Sequence, residues 1–380
     1  MKRLIALLPL IASAQAADYK PVKCDAAKPY IGASLHSAVD LTWDVTGSLD
    51  GTFDESTARR FAAAVDKAML GTAAQSMTVA VAVPGIGLWS TERAAEDVRL
   101  TTDMHYWASA GKTLTALTIL KLAEESKLSL TDSVSMYTEG VPNGDAITIE
   151  MLLNHTNGLF SVNEDLKVRR SRKPLTFDKS LAVLRRHGAM FCPGENWRYT
   201  NSGYELLGHV LEVIGKRPFN EVISATVVEP LKLQNIRILS RNETPQDVAT
   251  LYSSDPKIKA MLPGSAGPAG AMAASSEAVV RLWHAVLRDQ VVKRATLEKM
   301  FTDLYPMFGN PPYYGLGVMV YEVPQPNGEV KLWLGHSGGA PGVKAVFAYS
   351  PSDHAFVAVA LSGDGSAEAA ANLLLNALAK

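Results

Sequence analysis

The residues of this chain whose types and spacing could do covalent chemistry begin with Ser109-Ala-Gly-Lys112. A serine hydroxyl is a weak nucleophile at neutral pH and needs a neighbour to take its proton. A lysine three residues on can be that neighbour, because positions i and i+3 share one face of a helix. The stretch that follows is apolar nearly all round, with Leu114, Leu117, Ile119, Leu120 and Leu122, which predicts a buried helix. A lysine in the first turn of such a helix is costly unless paired or neutral, and a depressed lysine pKa makes a base. Ser-x-x-Lys alone is a weak signal. Ser254-Asp-Pro-Lys257 repeats it in a polar stretch where proline precludes a buried helix, so that second match carries no chemistry.

Two further motifs could join the first. Tyr199-Thr-Asn201 is the only Tyr-x-Asn in the chain and lies just before a helical pattern. His336-Ser-Gly338, followed by Gly339, opens a strand-like run. Taken singly, each has an ordinary structural reading: Ser109 starts a helix, Lys112 snorkels, Asn201 or Ser202 caps, His336 sits at a strand edge. Their joint occurrence in this order favours catalysis. A rival pattern, Gly335-His-Ser337-Gly-Gly339, fits the G-x-S-x-G elbow, with Asp353 and His354 as would-be partners. That elbow needs a strand, a sharp turn and a helix. Here Ser337 is followed by glycines, a proline and another strand, and adjacent Asp353 and His354 would face opposite ways.

The elements that must position these groups divide the chain. Thr52-Phe-Asp-Glu55 reads as a capping box before a helix ending at Gly71, and Met77 to Trp89 as a β-hairpin. From Asp132 to Pro263 the pattern is mainly helical, with almost no strand signal. Gly264 to Gly270 reads as a small-residue linker. Four strand-like runs follow Pro312, and a last helix runs from Glu368 to Leu378. The predicted fold class is α+β: a central antiparallel sheet from residues 52–108 and 264–380, covered by helices, with an all-α domain over 109–263 inserted. Residues 17–51 form an irregular extension.

Composition sets the outer bounds. The 380 residues are 47% hydrophobic and 20% charged, with a formal net charge of -1, so no basic field argues for a nucleic-acid partner. Lys2 and Arg3, the apolar run Leu4 to Ala12 and Ala14-Gln15-Ala16 read as a cleavable secretory signal peptide over residues 1–16. No run is long enough for a transmembrane segment. The expected location is outside the cytoplasm, in the periplasm or secreted. There Cys24 and Cys192, the two cysteines present, can form one disulfide. No metal-ligand spacing occurs among the histidines and cysteines.

With these motifs the chain resembles the penicillin-recognising serine hydrolases: class C β-lactamases, DD-peptidases, D-aminopeptidases and esterases of the β-lactamase/transpeptidase-like fold. Ser109-Ala-Gly-Lys112, Tyr199-Thr-Asn201 and His336-Ser-Gly338 match that family's three motifs in order. Leu152-Leu-Asn-His-Thr-Asn-Gly-Leu159, Tyr314-Gly-Leu-Gly317 and Gly338-Gly-Ala-Pro-Gly342 support the match, which runs from about Asp54 onward. The resemblance implies Ser109 as acylated nucleophile and Lys112 sharing its proton with Tyr199, whose phenolate or phenol acts as base and then acid. It implies Asn201, His336, Gly338 and Gly339 as substrate-binding residues, with an oxyanion hole at the Ser109 and Gly339 backbone N–H groups, where glycine lets the strand approach. No cofactor is implied. His336 stands where class C β-lactamases carry lysine, and histidine is only partly charged near neutral pH, which turns the expectation toward an ester or D-amino-acid peptide before a β-lactam. A penicillin-binding sensor that acylates without turnover is the alternative. His155 matches a family position, but at a helix C-terminus an imidazolium is favourable anyway, so it receives no catalytic role.

Overall fold

A computed structural model describes residues 20–36, 45–100, 102–171, 175–241, 243–255, 260–307 and 309–378. The signal peptide read at residues 1–16 lies outside the described residues, as does Lys257 of the second Ser-x-x-Lys match. In chain order, α1 (Glu55–Leu70) leads into β1 (Ala73–Val83), β2 (Gly87–Ala94) and β3 (His105–Tyr106). A 3-10 turn, Ala108–Gly111, then opens α2 (Lys112–Glu124). The helical middle holds α3 (Ile149–Leu153), α4 (Leu166–Arg170), α5 (Phe177–His187), α6 (Asn201–Gly215) and α7 (Phe219–Ile223). After β4 (Ile236–Ile238) and β5 (Met272–Ala274) come α8 (Ser276–Leu287) and α9 (Arg294–Met300). The chain closes with β6 (Tyr305–Met307), β7 (Asn310–Tyr314), β8 (Met319–Pro324), β9 (Val330–Ala340), β10 (Val343–Ser350), β11 (Ala355–Asp364) and α10 (Ala367–Leu378).

Among the described residues, eight strands form one antiparallel sheet in the order β2-β1-β11-β10-β9-β8-β7-β6. The two ends of the chain meet where β1 pairs with β11, Val79 opposite Val359. Both strands are buried on both faces, which is why their sequences run nearly unbroken in apolar residues. Met77, Val79 and Val81 pack with Val357, Val359 and Leu361 toward α1 and α10. Ala80, Ala358 and Ala360 face the other way, and these small residues let α8 lie close; Thr78 meets Ser276 there at 2.8 Å. Helix α1 is capped by Asp54, whose carboxylate accepts from the Thr57 N–H at 3.0 Å, and not by Thr52 as the capping-box pattern predicted.

Two other expectations change. The helical middle contains strand β4, which pairs with β5 and through it with β3. Three residues are too few to display a period-two pattern, so the sequence hid it. The segment read as a linker, Gly264 to Gly270, is coiled into 3-10 turns over Pro263–Ala269 and buried except at Ser265 and Ala266, with Pro268 seated on α6. A Cβ on Gly208 would come within 1.9 Å of Pro268 Cγ, so only glycine admits that contact. The irregular segment before α1 is tied to the helical middle by the Cys24–Cys192 disulfide and by backbone bonds from Lys28 and Ile31 to Pro193 and Glu195.

Candidate functional site

Ser109 sits in the 3-10 turn at the junction of sheet and helical middle. Its predecessor Ala108 is held at φ 46°, a left-handed conformation that costs an L-residue about 1–2 kcal/mol and persists only when neighbours enforce it. Trp107 supplies the anchor: its backbone N–H donates to the Met272 carbonyl at 3.0 Å and its indole N–H to the Ala274 carbonyl at 2.9 Å. From the other side β9 presses against the turn. A Cβ on Gly338 would lie 2.0 Å from the Trp107 carbonyl oxygen and 3.0 Å from the Ser109 nitrogen. The close approach expected at Gly339 belongs instead to Gly338; a Cβ on Gly339 would meet nothing nearer than Lys344 Cδ at 3.7 Å. Strand β8 pairs with β9 only as far as Gly335, which leaves His336 to Ala340 with β10 on one side and, among the described residues, no partner strand on the other.

Lys112 is fully buried at the head of α2. Its Nζ lies 2.7 Å from Asn201 Oδ1, 2.6 Å from the Ala269 carbonyl and 3.2 Å from Ser109 Oγ. Burial holds its pKa well below the usual lysine range, against a smaller opposing pull from the Glu205 carboxylate. A neutral amine has two N–H donors and one lone pair. The two short contacts go to oxygens that only accept, and the longer one goes to a hydroxyl that can donate. Nζ is placed to donate in all three contacts; because burial disfavours the ammonium, a proton lost from the longest of them leaves a lone pair facing the Ser109 hydroxyl. Glu205 is itself buried and paired with Arg241 at 2.7 Å, and burial raises its pKa.

Tyr199 stands across from the lysine, its ring centroid 4.9 Å from Lys112 Nζ, and the neighbouring Ser109 hydroxyl pulls its pKa down slightly against the larger effect of burial. Burial raises the phenol pKa, so Tyr199 holds its proton at neutral pH, and the phenolate form raised as one alternative is disfavoured. Asn201 is free to point at Lys112 because Thr200, and not Asn201 or Ser202, caps α6, accepting from the Ser202 N–H at 3.1 Å. Ser109, Lys112, Tyr199 and Asn201 thus come together.

His336 enters the same cluster differently. It is buried, its Nδ1 donates to the Ser337 carbonyl at 2.6 Å and its Nε2 accepts from the Tyr314 hydroxyl at 3.1 Å. Burial first, then the nearby Lys112, push its pKa down to about 3. The imidazole is neutral and turned toward Tyr314, which corrects the expectation of a partly charged group opposite the nucleophile. His155, expected to favour the imidazolium, is also buried, and burial, Lys112 and His336 drive its pKa well down. The rival elbow does not assemble. Ser337 continues as strand with its Oγ toward Met319, Asp353 is bonded to Lys331 at 2.7 Å, and His354 is exposed beyond the far end of β10. Sequence reasoning missed the Ala269 carbonyl, because a backbone oxygen leaves no mark in residue identity. It noted Tyr314 only within a supporting run. Among the described residues no group of three His, Cys, Asp or Glu side chains could hold a metal ion, and no helix is long and apolar enough to cross a membrane.

Fold and site together define a class: α+β proteins in which a Ser-x-x-Lys turn lies between an antiparallel sheet and a helical segment that delivers Tyr and Asn. The chain belongs to the beta-lactamase family, whose sequence model matches residues 61–380. A penicillin-binding protein of Bacillus subtilis (strain 168) is 26% identical over 267 residues, covering 64% of this chain and 57% of that protein. The chain thus spans about half the length of the curated relatives it matches. D-amino acid amidase from Ochrobactrum anthropi SV3, complexed with L-phenylalanine amide, shares the fold with a TM-score of 0.76 at 18% identity, covering 86% of this chain and 99% of that one. EstCE1, described as a hydrolase with promiscuous acyltransferase activity, shares it with a TM-score of 0.69 at 21% identity, over 86% and 99% of the two chains.

Proposed function

We propose that this protein is an exported serine hydrolase that cleaves an ester or amide through an acyl-enzyme on Ser109. The observation that carries the reading is the set of three contacts at Lys112 Nζ, which suits a neutral amine one proton transfer from the serine. Lys112 takes the Ser109 proton as Oγ bonds to the substrate carbonyl carbon. The oxyanion that forms is held by the backbone N–H groups of Ser109 and Gly339. The bond to the leaving alcohol or amine then breaks, and the leaving group receives the proton through the Tyr199 phenol. Water hydrolyses the acyl-enzyme by the same steps in reverse, returning the proton to Ser109.

A carboxylesterase or D-amino-acid peptidase fits better than a β-lactamase. A neutral, inward-facing His336 offers no cation for a substrate carboxylate, and neighbours of the same fold include a D-amino acid amidase and the hydrolase EstCE1. The penicillin-binding relative keeps a second reading in view, a protein acylated by β-lactams without turnover. Export rests on the signal peptide read at residues 1–16, and the Cys24–Cys192 bond supports an oxidising compartment. The test is a kinetic panel on purified protein: short p-nitrophenyl esters, D-amino-acid amides, a D-Ala-D-Ala peptide and a chromogenic cephalosporin, each against Ser109→Ala. Turnover of esters or D-amides that Ser109→Ala abolishes is expected. Turnover of the cephalosporin alone, or stoichiometric acylation with no release, would replace this reading by one of the others.

A further inference from the structure

Behind Tyr199 lies a buried side chain that the proposed mechanism does not use. His155 has a left-handed backbone, φ 67°, a region that side-chain-bearing residues seldom enter and that asparagine, aspartate and histidine tolerate best. Its carbonyl accepts from the Arg198 N–H at 3.1 Å, and its imidazole Nδ1 accepts from the Thr200 N–H at 3.4 Å. One residue therefore fastens the backbone on both sides of Tyr199. The imidazole also packs on the phenol, ring centroids 4.4 Å apart, and on Tyr314 at 4.4 Å. Because Nδ1 is the acceptor, Nε2 carries the hydrogen, and that donor is completely buried with no partner among the described residues. A fold that needed only bulk here would use an apolar ring and avoid the orphaned donor. The platform is fixed in turn: Asn154 Oδ1 accepts from the Thr156 N–H at 3.1 Å, and the Thr156 carbonyl accepts from the Gly194 N–H at 2.8 Å.

We propose that His155 is a positioning residue, holding the Tyr199 phenol beside Ser109 through its ring and its Nδ1 acceptor. This rests on the reading that Tyr199 shuttles the proton. A phenol loosened by even an ångström would slow acylation without weakening substrate binding, since it acts only as charge develops.

Two substitutions separate the parts. His155→Phe keeps the ring and removes the acceptor, leaving the Thr200 N–H unpaired. His155→Asn suits the left-handed backbone and puts Oδ1 where Nδ1 stood. For His155→Phe, kcat should fall about 10²-fold with KM within about threefold, while His155→Asn stays within about fivefold of the parent kcat. The decisive readout is a double-mutant cycle: if His155 acts through Tyr199, His155→Phe adds nothing to Tyr199→Phe. Additive losses, a Phe variant with full kcat, or a 10²-fold loss in His155→Asn would overturn the proposal. Should His155→Phe fail to fold, the Asn variant decides on its own. Full activity of Tyr199→Phe, with Ser109→Ala dead, would instead overturn the role given to Tyr199 and this proposal with it; an active Ser109→Ala would overturn the acyl-enzyme reading itself.

Discussion

Adding one methyl group at Gly338 and one at Gly339 should have sharply different consequences. A Cβ at 338 would sit 2.0 Å from the Trp107 carbonyl oxygen, with the Ser109 and Ala110 nitrogens at 3.0 and 3.1 Å. All three are backbone atoms of the nucleophile turn, which cannot swing aside as a side-chain tip can. A carbon–oxygen contact needs about 3.3 Å, so β9 and the turn must separate by roughly 1.3 Å. Overpacking of this kind costs about 1–3 kcal/mol of stability, and a displacement of about 1 Å at a reacting centre costs about 10² in rate. A Cβ at 339 meets only the flexible Lys344 chain at 3.7 and 3.9 Å, an ordinary contact. Steady-state kinetics on the best substrate of the panel, with thermal melts, would compare the two variants. Gly338→Ala should lose about 10²-fold or more in kcat/KM and melt earlier, and Gly339→Ala should stay within about fivefold of the parent. Equal behaviour of the two, or an unimpaired Gly338→Ala, would refute the geometry.

Replacing Lys112 with methionine keeps the volume and removes the base, so kcat should fall by about 10³ or more; the rise of kcat/KM with pH as Lys112 loses its proton should vanish from any residual activity, and a retained limb would assign it elsewhere. Acid should destabilise the fold before the carboxylates titrate. His105 and His336 are held down to about 4 and about 3, against 6.5 when unfolded, so the unfolded chain binds protons the native state lacks as pH falls below 6.5. By pH 5 this amounts to on the order of 2 kcal/mol for each histidine, visible as a lower urea midpoint at pH 5 than at pH 7; equal midpoints would contradict neutral burial. Cys24→Ser should also lower the midpoint. The bond spans 168 residues, for which the chain-entropy account gives about 5 kcal/mol as a ceiling, and an unchanged midpoint would mean the N-terminal segment contributes nothing.

What the sequence disclosed followed from what each residue type can encode locally. Ser109 and Lys112 were legible because their spacing fixes a shared helix face, and β1 and β11 because β-branched, apolar runs bounded by turn residues read as strands. The charge of His336 was not, since it depends first on burial and then on Lys112, both brought about by other elements. The Ala269 carbonyl was hidden in a run of small residues that reads as a linker but is held by Pro268 on Gly208. Thr52 looked like a cap by pattern, yet Asp54 reaches the Thr57 N–H first. The family motif at His336-Ser-Gly338-Gly339 placed the close approach at Gly339, and only the distance to Trp107 moves it to Gly338.

The central claim is that Ser109, activated by Lys112, is the residue acylated. Labelling with a fluorophosphonate probe followed by peptide mapping tests it most directly, using the parent protein, Ser109→Ala, Lys112→Met and Ser337→Ala. Label on the peptide carrying Ser109, lost in Ser109→Ala, slowed by about 10² or more in Lys112→Met and unchanged in Ser337→Ala, is the expected result. Label on Ser337, or labelling of Ser109 at an unaltered rate without Lys112, would contradict it.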